Sequence, residues 1–422
     1  MSLSKPFGPL PISDIAARRL LWTVFLLFTL FQVWRLYSIG NGLATDAHSE
    51  ADALRSADAY ARDGLGSYHG LPRTLHGALF PTVGTVIDHA DANGMVPEKF
   101  RVGFPERLAH RDAWVYTHYP PGPNLLCGLW AKMCGMERIW VLRLFPLAFG
   151  LVAVAFFFQG LMRAFGPARA LLIATACAAL PMFGEYINGL HYFGYSLALV
   201  LVQLTLLLEI FLGRRRCGAW LGAAFFTLGF LQGWLSFDQF FVVSLLAVPF
   251  WWLRRAVGDA PSFKLLLLLV VLPTAGFFLA HGLHFLQVVA ELGGVQAALG
   301  EFHATAAERA GAGGGESARY PQFLGRAVYL YFRDTVKPTN GHFGPLLLLA
   351  VGWVAVLVAR GKKLPWLALA AALGIALLWM VFMPQHAVSN LHVTIRHLFV
   401  PYFLLLLVAV EGGRTTDSSP TA

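Results

Sequence analysis

Ten apolar runs divided by short polar breaks leave this chain few ways to fold. They lie near residues 20–38, 140–162, 168–184, 191–212, 218–235, 239–253, 265–286, 344–359, 364–383 and 396–410. About 20 apolar residues are needed to cross a bilayer core as a helix. In lipid, backbone polar groups have to be satisfied within the protein, which leaves helices or closed barrels as spanning structures. The expected fold is therefore all-α: a polytopic membrane helical bundle of about ten spans. Composition agrees, because 57% of the 422 residues are hydrophobic and only 13% are charged. A soluble domain carries about 25% charged residues, so the composition argues against a soluble enzyme. Cys127, Cys134, Cys177 and Cys217 fall in or beside apolar runs with no metal spacing, and a disulfide framework is not expected.

Lys and Arg set the expected orientation. Arg18-Arg19, Arg163 with Arg169, Arg214-Arg215-Arg216, Arg254-Arg255 with Lys264, and Arg360 with Lys362-Lys363 all read as cytoplasmic flanks. They fit one alternating path if segment 121–136, PGPNLLCGLWAKMCGM, is a short non-spanning helix. Both termini are then cytoplasmic, residues 1–410 form one transmembrane unit, and 411–422 are a cytoplasmic tail. The first run follows a polar lead and is long enough to span, so it reads as an uncleaved helix in spite of a weak cleavage-like Gly42-Leu43-Ala44. The net charge of +9 resides in these short flanks and forms no nucleic-acid surface.

The opposite, extracytoplasmic face then holds a long first loop (39–120), a second long loop (287–343) and short turns at 184–194, 235–239 and 383–397. Loops of that length in a compact protein are usually functional or disordered. The second contains AGAGGGESA (310–318), whose composition suits a mobile lid. No internal repeat of the transporter kind is evident.

The first loop opens with TDAHSEADALRSADAYARDG (45–64), a short amphipathic helix that could rest on the membrane surface. Asp46 reads either as the helix N-cap or as a catalytic carboxylate, and Glu50 lies one turn further on the same face. Further along, YTHYPPGP (116–123) leads into the short helix, followed by Arg143-Leu144-Phe145-Pro146 at the start of the next span.

That order of features resembles the GT-C superfamily of integral membrane glycosyltransferases, in particular the bacterial branch of aminoarabinose transferases and protein mannosyltransferase relatives. The resemblance covers roughly residues 20–165. It matches Asp46 to the family's acidic position with Glu50 as alternate, Tyr119-Pro120-Pro121 to its x-Pro-Pro motif, and Arg143-Leu144-Phe145-Pro146 to its third-segment pattern. It implies transfer of a sugar from a polyprenyl-phosphate donor to an envelope glycan, lipid or protein outside the cytoplasmic membrane. Asp46 would serve as the base. Several relatives place a cation directly before Pro-Pro; here that residue is Tyr119, with His118 beside it.

Candidate phosphate ligands are His392, Arg396 and His397 at the outer start of the last run, since an arginine entering an apolar segment needs a partner. The alternative for them is an interfacial anchor that snorkels to headgroups. Arg333 and Lys337 are further candidates, and Glu185, His191 and Asp238 could line a sugar pocket. His281 and His284 are too few ligands to claim a metal. No cofactor is expected. The competing function is a transporter or flippase of a lipid-linked envelope precursor.

Overall fold

The computed structural model describes residues 12–41, 47–74, 114–211, 218–256, 258, 261–310, 320–336, 343, 345–361, 364–389 and 391–411. The chain is a helical bundle, apart from two-residue strands β1 (Arg73–Thr74) and β2 (Trp114–Val115) paired antiparallel. In chain order the main helices are α1 (Asp14–Ile39), α2 (Ala47–Asp63), α3 (Gly122–Cys134), α4 (Leu144–Phe165), α5 (Pro167–Ala178), α6 (Tyr192–Phe211), α7 (Ala219–Leu235), α8 (Phe240–Leu245) and α9 (Ala247–Ala256). They continue with α10 (Phe263–Leu292), α11 (Val295–Ala310), α12 (Tyr320–Val336), α13 (Pro345–Ala359), α14 (Trp366–Phe382), α15 (Pro384–Ser389) and α16 (Phe399–Glu411).

Among the described residues, four helical stretches are long and apolar enough to cross a membrane: Asp14–Ile39, Ile139–Phe165, Gly194–Phe211 and Phe263–Leu292. Five more are apolar but shorter: Pro167–Ala178, Ala219–Leu235, Leu346–Ala359, Trp366–Phe382 and Ile395–Val410. The sixth expected span, 239–253, is not one helix. It breaks at Leu246 into α8 and α9, because Pro249 has no N–H to give to the carbonyl of Leu245. The ten equal spans read from hydropathy are thus four full-length helices and a set of shorter ones.

Helix ends follow local chemistry. The Ser13 hydroxyl accepts from the Ala16 N–H at 3.2 Å and starts α1; Ser262 does the same for Leu265 at the start of α10. Pro123 occupies the first turn of α3, and Gly135, at φ 79°, ends it. At 13 residues α3 is about 20 Å long, short of the roughly 30 Å hydrocarbon core.

The core runs through α4, α6, α7, α9, α14 and α16, with Phe157, Phe158, Phe183, Leu204, Phe225, Phe250 and Phe403 all buried. By contrast α1 and α10 present large apolar side chains outward, among them Leu27, Leu30, Trp34, Phe278 and Leu286. The helices α7 and α10 meet backbone to backbone. A Cβ on Gly229 would lie 2.0 Å from the Pro273 carbonyl oxygen, and one on Gly276 would lie 2.1 Å from that of Phe226. Small residues permit this close approach where lipid offers no hydrophobic drive between helices.

Two expectations are corrected. The helix α2 is not an isolated surface helix but is largely enclosed by protein: Glu50, Ala53, Leu54, Arg55, Ser56, Ala57 and Tyr60 are all buried. It packs on α3, where Asn124 donates to the Ser56 hydroxyl at 3.2 Å and Ala53, Leu54 and Ala57 join Cys127 and Ala131 in a second core. The second long loop, 287–343, is also mostly helical. Its first residues prolong α10 to Leu292, and α11 and α12 follow. Alanine-rich VQAALGEFHATAAERA favours helix by propensity, although its polar residues disguise it as a loop. Residues 311–318 of the expected lid lie outside the described residues. The turn at 383–397 is likewise built of short helices, ending in a 3-10 turn over Ile395–Leu398.

Candidate functional site

Segment 116–121 is drawn across one end of the bundle. Tyr116 N–H donates to the Pro72 carbonyl at 2.8 Å, continuing from the β1–β2 pair. His284 of α10 donates from Nε2 to the Thr117 carbonyl at 2.8 Å. From α11, Glu301 accepts both the Thr117 hydroxyl at 2.8 Å and His118 Nε2 at 3.0 Å, on the same oxygen. Those bonds, that from His118 first, outweigh burial and hold the Glu301 carboxyl below its ordinary value.

Next in the segment, the Tyr119 ring stacks on Phe237 with centroids 4.0 Å apart. Tyr116 at 4.8 Å and Tyr192 at 5.9 Å extend the aromatic wall. Arg309, at the end of α11, places its guanidinium 4.7 Å from the centroids of both Tyr119 and Phe237. It therefore sits beside the stacked pair and cannot be face-on to both rings. No carboxylate pairs with it among the described residues. An aromatic seat that leaves guanidinium N–H donors uncommitted suits an anionic ligand.

Behind this wall lies a buried polar cluster. Asp238, in the turn between α7 and α8, accepts the Ser236 hydroxyl at 2.6 Å and forms an ion pair with Arg396. His397 Nε2 lies 3.5 Å from the same carboxylate oxygen that Arg396 binds. Burial by itself would push the Asp238 carboxyl up. The Arg396 guanidinium, His397 and the Ser236 hydroxyl outweigh it and hold that carboxyl well below the usual range. Around them, Trp379 Nε1 donates to His386 Nδ1 at 3.2 Å, and both rings pack on Phe237. Tyr331 of α12 is buried, and burial, the largest influence, raises its phenol well above the ordinary value, with the charges of Asp238 and Arg396 felt in addition.

A third cluster ties α2 to the start of α4. Arg143 grips Glu50 with both prongs, Nη1 to Oε1 at 2.5 Å and Nη2 to Oε2 at 2.9 Å, and neither side chain has any exposed surface. Leu190 N–H adds a bond to Glu50 at 3.3 Å. Asn188, whose carbonyl faces Arg143, donates to Gln32 of α1 at 2.9 Å.

The residues singled out from the sequence are thus partly brought together. His118, Tyr119, Asp238, Arg396 and His397 share one end of the bundle, with buried His191 beside Tyr192. Glu50 is committed to Arg143 and is not placed as a free base. Arg396 is no lipid anchor, because it is buried against Asp238. Arg333 lies on the exposed face of α12, next to Tyr329 of the same helix. Asp46 and Lys337 lie outside the described residues, as do the side chains of Glu185 and His392. His281 and His284 are bonded to the carbonyls of Phe277 and Thr117, and no group of three or more metal-ligating side chains occurs among the described residues.

Sequence reading missed Glu301 and Arg309. Their signal was spacing: eight residues apart in a helical stretch, they lie on one face with Thr305 between them. No protein-family model matches the chain, and neither a curated protein nor a solved structure is detectably similar to it.

Proposed function

We propose that this chain is a membrane-embedded glycosyltransferase that moves a sugar from a polyprenyl-phosphate donor to an acceptor hydroxyl at the extracytoplasmic face of the cytoplasmic membrane. Ten spans, the shorter helices included, would carry it across the bilayer with both termini cytoplasmic. The observation that carries the reading is the position of Arg309, a cation beside the Tyr119–Phe237 stack at the bundle end with no carboxylate partner among the described residues.

The parts suit that chemistry. Transfer needs a cation where the leaving phosphate gathers charge, and preorganised electrostatics is usually the largest single contribution to such catalysis. Arg309 supplies it, while half-buried Tyr119 and Tyr192 offer aromatic surface to a sugar ring. The Asp238–Arg396 and Glu50–Arg143 pairs lock the supporting segments in place. The resemblance assigns the acceptor's base to Asp46. The bilayer would hold the isoprenoid chain, and the acceptor is a lipid, glycan or protein of the envelope.

The test is sugar transfer in proteoliposomes with a panel of polyprenyl-phosphate sugars and envelope extract as acceptor. Wild type is expected to turn over at least one donor. Arg309→Ala should lose roughly tenfold to a hundredfold in kcat/KM, the worth of one charge-assisted hydrogen bond of about 1.5–3 kcal/mol. If Asp46 is the base that the resemblance assigns, Asp46→Asn would abolish transfer and Glu50→Gln would weaken it. No turnover of any donor would sink the reading.

A transporter or flippase is the second reading. It draws on the charged pairs buried inside the bundle, which in membrane proteins often mark transport paths. Movement of a labelled lipid-linked sugar between leaflets, with no new glycosidic product, would favour it.

A further inference from the structure

His118 and Glu301 form a dyad that phosphate binding and sugar stacking leave without a task. An ionised carboxylate can only accept hydrogen bonds. Glu301 Oε1 accepts from His118 at 3.0 Å, so a neutral His118 carries its proton on Nε2 and keeps a lone pair on Nδ1. The Thr117 hydroxyl, bonded to the same oxygen at 2.8 Å, fixes the carboxylate in turn. Among the described residues Nδ1 has no partner, and His118 retains 21% of its side-chain surface. A histidine oriented through one nitrogen by a shielded carboxylate, with its other nitrogen open, is built to take a proton.

The surroundings point the same way. Two described carboxylates near this end, Glu50 and Asp238, are each bound to an arginine, and Glu291 is paired with His69. Glu301 shares one helix face with Arg309, so a single element, α11, orients the histidine and carries the uncommitted cation. Both act on the same four-residue stretch, Tyr116 to Tyr119.

We infer that His118 is the general base of the transfer and Glu301 its positioning residue. The inference rests on the glycosyltransferase reading and moves the base away from Asp46. In the step, the acceptor hydroxyl gives its proton to His118 Nδ1 while its oxygen bonds to the anomeric carbon. The bond from that carbon to the phosphate oxygen breaks, and polyprenyl phosphate leaves with the electron pair beside Arg309. The imidazolium, stabilised by ionised Glu301, then releases the proton to water.

Chemical rescue tests this in proteoliposomes, using the full chain and whichever donor wild type turns over. His118→Ala should lower kcat by about 10²–10⁴ with little change in donor KM, and added imidazole should restore at least part of that rate. Glu301→Gln should cost about tenfold in kcat, with partial recovery in Glu301→Asp. If His118→Ala does not fold, His118→Gln keeps a donor toward Glu301 without a base and should show the same loss. A His118 variant within about threefold of wild type, or no imidazole recovery, overturns the assignment alone. Failure of wild type with every donor overturns the transfer reading, and this assignment with it.

Discussion

Asp238 and Arg396 form a buried ion pair between side chains 158 residues apart in sequence. The pair joins the α7–α8 turn to the entry of α16, and each side chain is at most 3% exposed. Neither charge has water to fall back on, so each depends on the other.

Removing one partner should therefore be costly. Asp238→Asn strands the Arg396 charge and is expected to destabilise the protein by about 3–5 kcal/mol. The double variant Asp238→Asn with Arg396→Met should regain much of that loss. Thermal unfolding of detergent-solubilised protein checks both; a single variant that melts like wild type would contradict the pairing.

The Glu50–Arg143 fork makes a separate prediction about coupling. In a double-mutant cycle of Glu50→Gln and Arg143→Met, the two losses should not add, with an interaction energy of about 0.5–3 kcal/mol. Arg143→Lys should fail to replace the arginine, because an ammonium cannot make both parallel bonds to one carboxylate. Additive losses would mean that the two side chains do not act as a unit.

Glu301 predicts a pH dependence. Its folded carboxyl titrates below the ordinary value of 4.5, because the hydrogen bonds from His118 and Thr117 favour the charged form. A depressed folded value contributes stability that is present above the unfolded value and lost as pH falls through the folded one. The difference in Tm between wild type and Glu301→Gln should thus be present at neutral pH and shrink below about pH 4. A difference that grows on acidification would reverse the sign and refute the bond pattern.

The contact of α7 with α10 predicts a graded response to single methyl groups. Gly229→Ala would drive its Cβ against the Pro273 backbone, which cannot rotate away, and should cost about 1–3 kcal/mol. Gly222→Ala on the same helix meets only the tip of the Leu272 side chain at 3.2 Å and should be tolerated. Comparison of the two melting temperatures decides whether backbone contact holds these helices together.

Local pattern made the helices legible. Apolar runs, serine caps and proline starts act within a few residues, so α1, the short α3 and the apolar part of α10 could be expected from the chain alone. Local pattern also misled where two local signals conflicted. Hydropathy across 239–253 hid the break before Pro249, and the polar residues of 295–310 hid the helix that carries Glu301 and Arg309.

What the sequence by itself determined was the bundle of apolar helices and the residue types gathered between them. Only the tertiary structure decided which charges are spent and which are available. Glu50 went to Arg143, Asp238 to Arg396 and Glu301 to His118, while Arg309 came to rest beside two aromatic rings. The reason is physical: a buried charge is stable only beside its partner, and partners 93, 158 and 183 residues away are chosen by how helices pack, which no local spacing encodes.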